Sequence, residues 1–198
     1  QQYEKIITDY PNSVFYKKAL LKKGLYYFNT KQDDEAIAVF KEVIDKYPQS
    51  EEAQQALEKI KLIYMDNGKL SEYEAYVSTL PFADAAATVQ ETDYYQVAEN
   101  FFMESNCEKA IPAFTDYLNK YPNGIKAVEA HYYRGECLWK NKDFANALPD
   151  FETVIQSKDA HFITQALVYA ARASKQLNDT AKTIYYYNEL LTNSNDEN

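Results

Sequence analysis

Residues 24–48 read GLYYFNTKQDDEAIAVFKEVIDKYP, and this stretch carries the signals of two helices and of the turn between them. A small residue, Gly24, precedes apolar residues at helical spacing, and polar residues typical of a turn follow. Ala36 and Phe40 then lie four residues apart, which places them on one helical face. Pro48 ends the second helix, because proline lacks a backbone donor and disfavours helical geometry in the preceding residue. The stretch therefore predicts a helix, a turn and a second helix.

The same pattern recurs with a period of 37 residues. The Tyr-Pro pair at residues 10–11 recurs at 47–48 and, two periods later, at 121–122. Three further columns agree in this register, namely a small residue (Gly24, Ala98, Gly135), an alanine (Ala36, Ala110, Ala147) and a phenylalanine (Phe40, Phe114, Phe151). A period of this length indicates an array of repeated helix pairs.

These columns resemble the tetratricopeptide repeat family, in which a small residue, an aromatic residue, Ala, Phe and Pro follow one another in this order. The resemblance implies an all-α fold, a right-handed alpha-alpha superhelix that forms a solenoid of antiparallel helix pairs. It assigns residues 1–198 to a single solenoid, with a half repeat at 1–13 and repeats at about 17–50, 54–85, 91–124, 128–159 and 164–193. Because the first element fits only the second helix of a repeat, we expect the chain to be a fragment of a longer protein.

The second repeat departs most from this pattern. It has Lys61 where a small residue is expected and Tyr73 where alanine is expected, and Pro81 comes four residues early. We therefore expect an irregular joint at residues 81–93. In the fifth repeat the period shortens to 36 residues.

The repeat spacing is similar to that of bacterial cell-envelope members of the family. Outer-membrane assembly lipoproteins and Tol-Pal coordinator proteins share a Tyr-Pro-x-Ser junction before an alanine-rich helix, as in residues 47–50. This resemblance favours a periplasmic or cell-envelope location, with a cytoplasmic one left open.

Charge and hydropathy restrict the partners. The formal net charge is −9, from 21 basic and 30 acidic residues, and such a charge disfavours contact with phosphate backbones. The sequence contains no apolar run long enough to span a membrane. We therefore expect no nucleic-acid partner and no direct membrane insertion, and a protein or peptide partner remains.

Residues that could carry chemistry have simpler interpretations. His131 aligns with positions that pack between helices, and it lacks a second ligand at metal-binding spacing. Cys107 and Cys137 match no zinc motif, so plain packing or exposure is the interpretation for both. No phosphate-binding loop or nucleophile elbow occurs. The sequence therefore predicts no enzyme, no metal site and no cofactor.

The candidate binding surface lies on the first helices of the third and fourth repeats. In this family the first helices line the concave side, and positions 2, 5, 9 and 12 of each share one stripe. In both repeats this stripe carries a tyrosine, a glutamate and an aromatic residue. The predicted partner-binding residues are Tyr95, Glu99, Phe102, Tyr132, Glu136 and Trp139.

Two interpretations of this stripe are open. Aromatic rings beside carboxylates suit a partner peptide or helix that carries apolar and basic side chains. Alternatively, the rings only pack neighbouring first helices together. The resemblance implies a non-catalytic protein–protein interaction scaffold in cell-envelope assembly, and the alternative is a purely structural spacer or self-association segment of a longer repeat protein. The oligomeric state is left open.

Overall fold

The structure, a computed structural model, describes residues 2–81 and 88–195. All regular elements within these residues are helices, which confirms the predicted all-α class. In chain order they are α1 (Gln2–Asp9), α2 (Tyr16–Asn29), α3 (Asp33–Lys46), α4 (Glu51–Asp66), α5 (Leu70–Val77), α6 (Glu91–Met103), α7 (Cys107–Lys120), α8 (Ala127–Lys140), α9 (Phe144–Ser157), α10 (Ile163–Gln176) and α11 (Thr180–Asn195).

The chain divides into two compact units. Unit 1 comprises residues 1–89 and contains α1 to α5, whereas unit 2 comprises residues 90–198 and contains α6 to α11. Within each unit, helices that follow one another in the chain pack against each other. The continuity of one solenoid over residues 1–198 stays a prediction.

The turn inside each helix pair has the same backbone conformation. A residue in the left-handed region occurs at positions 31, 68, 105 and 142, each 37 residues after the one before, and then at Asn178, 36 residues later. In every turn the next amide donates to the carbonyl five residues earlier, as from Gln32 to Tyr27 at 2.9 Å. This bond closes the end of the first helix. The period found in the sequence is therefore a period of backbone geometry.

The small-residue column marks close approach of two helices. A Cβ atom at Gly24 would overlap the ring of Phe40, and one at Gly135 would come to 3.0 Å from the ring of Phe151. Both phenylalanine rings are fully buried. The glycines are thus needed because the facing rings occupy the space that a side chain would fill.

The helix ends follow the sequence signals. The Tyr-Pro pairs directly follow α1, α3 and α7. Asn106 and Asp143 accept backbone hydrogen bonds from Lys109 and Asn146 and so cap α7 and α9. Each of these helices therefore begins at a capping residue, ends before a Tyr-Pro pair, or does both.

The second repeat keeps its helix pair despite its unusual residues. Tyr73, which stands in the alanine column, is 1% exposed, and its ring lies 6.1 Å from that of Tyr64. The expected joint at 81–93 is too long, because residues 91–93 already belong to α6. Residues 82–87 of that joint lie outside the described part of the chain.

Candidate partner-binding site

The six predicted residues lie on two neighbouring helices of unit 2. Helix α8 contacts α6 on one side and α10 on the other, as expected for first helices in consecutive repeats. Tyr95, Glu99 and Phe102 lie on α6, and Tyr132, Glu136 and Trp139 lie on α8. We call the surface that these two helices form the α6–α8 face.

The two tyrosines of the prediction pack inside the unit. Tyr95 is 5% exposed, with its ring 5.7 Å from that of Tyr117, and Tyr132 is 9% exposed, with its ring 4.8 Å from that of Phe162. Burial is the largest cause that raises the pKa of both hydroxyls, followed by Glu129 for Tyr95 and by Glu136 for Tyr132. Both rings are therefore part of the buried packing beneath the α6–α8 face and contribute little to its exposed surface.

A stacked pair of rings joins the two helices at the surface. The half-buried rings of Phe102 on α6 and Tyr133 on α8 are 4.4 Å apart. The stripe of positions 2, 5, 9 and 12 includes Tyr132 but not Tyr133, its neighbour in the chain. The available signal was the Tyr132-Tyr133 pair itself, because successive side chains on a helix point in directions about 100° apart and cannot both lie on one stripe.

Three carboxylates lie near Tyr133. Burial, followed by the charges of Glu129, Glu99 and Glu136, raises the pKa of Tyr133. Glu99 accepts hydrogen bonds from the Tyr95 hydroxyl and from the side-chain amide of Gln96, both at 3.2 Å. The exposed part of the face is thus aromatic and acidic.

Two lysines contact the acidic groups. Lys126 Nζ lies 2.6 Å from Glu129 Oε2 and 5.4 Å from the ring centre of Tyr95. Lys140 Nζ lies 2.7 Å from Glu136 Oε1 and 5.1 Å from the ring centre of Phe102. Each lysine therefore contacts a carboxylate on α8 and a ring on α6.

Trp139 occupies the edge of the face towards α10. Its half-buried ring lies 5.3 Å from that of Tyr169 and 6.2 Å from that of Phe144. The indole N–H is buried, and no residue in the described part of the chain accepts a hydrogen bond from it. Trp139 thus combines a packed ring with an unused donor.

A buried carboxylate lies behind this face. Asp150 on α9 is 2% exposed and accepts two hydrogen bonds from Arg134, which also donates to Thr115 Oγ1 at 3.1 Å. His131 Nδ1 lies 2.7 Å from the same carboxylate. His131 therefore takes part in a polar network that holds α8 to α9.

The cysteines form a disulfide, so their interpretation as independent packed or exposed residues is wrong. Cys107, the first residue of α7, is bonded to Cys137 in the last turns of α8, with 5.2 Å between their Cα atoms. Cys137 is fully buried. The bond covalently joins the third repeat to the fourth, next to Glu136 and Trp139.

The described residues contain neither a group of metal ligands nor a membrane-spanning helix. Among residues 2–81 and 88–195, no three His, Cys, Asp or Glu side chains are grouped so that they could hold a metal ion. None of the helices in these ranges combines the length and the apolar character that a membrane crossing needs.

Family comparisons match the two units separately. Models of the tetratricopeptide repeat match residues 18–50 in unit 1 and residues 98–161 in unit 2. These two stretches of the chain match tetratricopeptide repeats. The second match covers α7, α8 and α9 and so includes much of the α6–α8 face. The narrower resemblance to cell-envelope members is not part of these matches.

Several solved structures are similar to this chain. The MamA protein has 18% identity and a TM-score of 0.45, with 91% of this chain and 92% of that chain covered. YrrB, described as a TPR protein with an unusual peptide-binding site, has 14% identity and a TM-score of 0.45, with 97% and 92% covered. A tetratricopeptide repeat protein from Parabacteroides merdae has 19% identity and a TM-score of 0.43, with 90% and 66% covered. Comparison with curated proteins finds no match. At such low identities nothing about function follows from these likenesses.

Proposed function

We propose that the chain is a non-catalytic interaction scaffold that binds a partner peptide or helix on the α6–α8 face of unit 2. The observation that carries this proposal is the stacked pair of Phe102 and Tyr133, which stays partly exposed, with three carboxylates near Tyr133. Solubility alone would favour charged side chains at such positions. Stacked repeats also form extended concave surfaces on which partners bind.

We further propose an oxidising compartment, such as the periplasm, as the place of action. The disulfide between Cys107 and Cys137 supports this proposal, because structural disulfides persist in oxidising compartments and are rare in the cytosol. Cell-envelope assembly is the process that the Tyr-Pro-x-Ser resemblance favours.

A change of two charges on the face tests the binding site. Random peptides displayed on phage would be selected against the full chain, and their affinities measured by calorimetry. The double variant Glu99→Lys with Glu136→Lys should weaken binding by about 2 kcal/mol, roughly thirtyfold, because both carboxylates are partly desolvated. Glu58→Lys with Glu104→Lys makes the same change of net charge at two exposed positions and is the control.

Trp139→Ala is the second test of the same surface. It should weaken binding through lost contact area, since tryptophan is frequent among residues that dominate binding. Equal affinity of the selected peptides for the wild type, for Glu99→Lys with Glu136→Lys and for Trp139→Ala would place the site elsewhere. A collapse of the melting temperature in Trp139→Ala would assign the ring to the core.

Self-association is the second candidate function, and exposed apolar residues on α11 favour it. Ile184, Tyr187 and Leu191 are 55%, 45% and 64% exposed and lie on one side of the helix. A light-scattering mass that rises with concentration, and that Ile184→Ser with Leu191→Ser keeps at the monomer value, would support this role.

A further inference from the structure

The α6–α8 face already holds two cationic side chains, and both are bound in the same way. Lys126 contacts Glu129 and the Tyr95 ring, whereas Lys140 contacts Glu136 and the Phe102 ring. We call Tyr95 with Glu129, and Phe102 with Glu136, the two ring–carboxylate pairs. A ring face and a carboxylate both attract a cation, so each pair is a binding position for an ammonium or guanidinium group.

The exposure of the two partners is unequal in both ion pairs. The lysine side chains are 45% and 49% exposed, whereas Glu129 and Glu136 are 21% and 17% exposed. A half-exposed lysine regains water when it leaves and so loses little. A mostly covered carboxylate, in contrast, needs a cation or a donor when water is excluded by a partner. Each carboxylate therefore needs a donor when a partner covers it, and a cation from the partner that also lies on the ring can meet this need as the present lysine does.

We propose that the α6–α8 face binds a partner segment with basic side chains, which replace Lys126 and Lys140 at the two ring–carboxylate pairs. This inference rests on the proposed function and adds the chemistry of the partner and a mode of competition within the chain. Without a partner the lysines neutralise Glu129 and Glu136, and the partner must displace them to bind.

Glu99 adds to the negative charge of the face and so favours a basic partner. Its hydrogen bonds come from the neutral groups of Tyr95 and Gln96, and no cation within the described residues forms an ion pair with it. It nevertheless lies near Tyr133, as do Glu129 and Glu136. Once both lysines have turned away, three carboxylates face the partner. A basic segment then meets complementary charge, and an acidic one is repelled.

Aromatic surface beside the carboxylates sets the second requirement. The stacked rings of Phe102 and Tyr133, with Trp139 at the edge, offer apolar area between the charged groups. We therefore infer a segment in which basic residues are interspersed with apolar ones, in place of a purely basic run.

The probe is a short amidated peptide in which lysine alternates with leucine or alanine, together with a counterpart that has glutamate in place of each lysine. Trp139 is the only tryptophan of the chain, so its fluorescence reports from this face. We expect saturable binding of the lysine peptide to the full chain and none of the glutamate peptide. Binding of the lysine peptide should weaken as salt is added.

The decisive variant is Lys126→Met with Lys140→Met, which removes the competing cations and keeps the aliphatic stems. We expect it to bind the lysine peptide roughly threefold to tenfold more tightly than the control Lys5→Met with Lys22→Met, which removes two exposed lysines of unit 1. Circular dichroism melts would show that both variants stay folded.

The outcomes separate this inference from the proposed function. Affinity of the decisive variant equal to or below that of the control would overturn the replacement of the lysines. Binding of the glutamate peptide, or of neither peptide, would overturn the basic partner. In each case phage-selected peptides that lose affinity for Glu99→Lys with Glu136→Lys would leave the proposed function standing, and it fails only when those peptides keep their affinity.

Discussion

Arg134 holds the buried carboxylate of Asp150 with two hydrogen bonds, from Nε to Oδ2 at 2.9 Å and from Nη2 to Oδ1 at 2.7 Å. The planar guanidinium group matches both carboxylate oxygens, so the pair fixes direction as well as distance. It joins α8 to α9 and, through Thr115, reaches α7. One buried network thus connects the third and fourth repeats.

Removal of one partner from this pair should destabilise the protein strongly. Arg134→Met leaves the Asp150 charge buried with only His131 beside it, and we expect a loss of about 2–4 kcal/mol in the free energy of unfolding. The double variant Arg134→Met with Asp150→Asn should regain more than half of that loss, because the uncompensated charge is gone. Urea denaturation followed by Trp139 fluorescence measures both. Wild-type stability in the single variant would contradict the prediction.

Reduction of the disulfide should also lower stability. The bond between Cys107 and Cys137 closes a loop with a sequence separation of 30, for which restriction of the unfolded chain contributes about 3–4 kcal/mol. Denaturation of the full chain with and without dithiothreitol measures this contribution. The variant Cys107→Ala with Cys137→Ala is the control, since dithiothreitol should leave its stability unchanged. An equal stability of the oxidised and reduced wild type would show that the bond contributes nothing.

The two glycines of the small-residue column should respond differently to alanine. A Cβ at Gly24 overlaps the fully buried Phe40 ring, so overpacking should exceed the gain of about 1 kcal/mol in helix propensity. We expect Gly24→Ala to destabilise the protein by about 1–2 kcal/mol. At Gly135 the new contact is 3.0 Å, and we expect a smaller loss. Thermal and urea denaturation of the two variants compares them, and the reverse order would contradict this account.

The fold could be predicted from the sequence because few residue columns determine it. Gly24 and Phe40 define a helix pair, and their recurrence defines the array. The left-handed residues at 31, 105 and 142 were not predictable one by one, because lysine and serine carry no preference for that conformation. The turn imposes it on whichever residue stands at the position.

The candidate site was predictable in position but not in exposure. Helical spacing placed Tyr95 and Tyr132 on the correct helices, yet their burial depends on rings from α7 and from the segment before α10, which spacing does not reveal. The disulfide is a similar case. Cys107 and Cys137 meet because the start of α7 lies beside the end of α8, and this contact requires the packing of two repeats.

High pH should unfold the chain cooperatively through its buried tyrosines. Burial is the largest cause that raises the pKa of Tyr76 to about 12 and that of Tyr117 further, whereas an unfolded tyrosine titrates near 10. Above pH 10 the unfolded chain therefore binds fewer protons than the folded one, and the free energy of unfolding falls as pH rises. A step of tyrosinate absorbance from the buried rings should coincide with the loss of helical circular dichroism. Tyr76→Phe, which removes a buried hydroxyl with no acceptor in the described part of the chain, should reduce this dependence, and Tyr10→Phe at an exposed position should not. Ionisation of all tyrosines with intact helix would contradict the prediction.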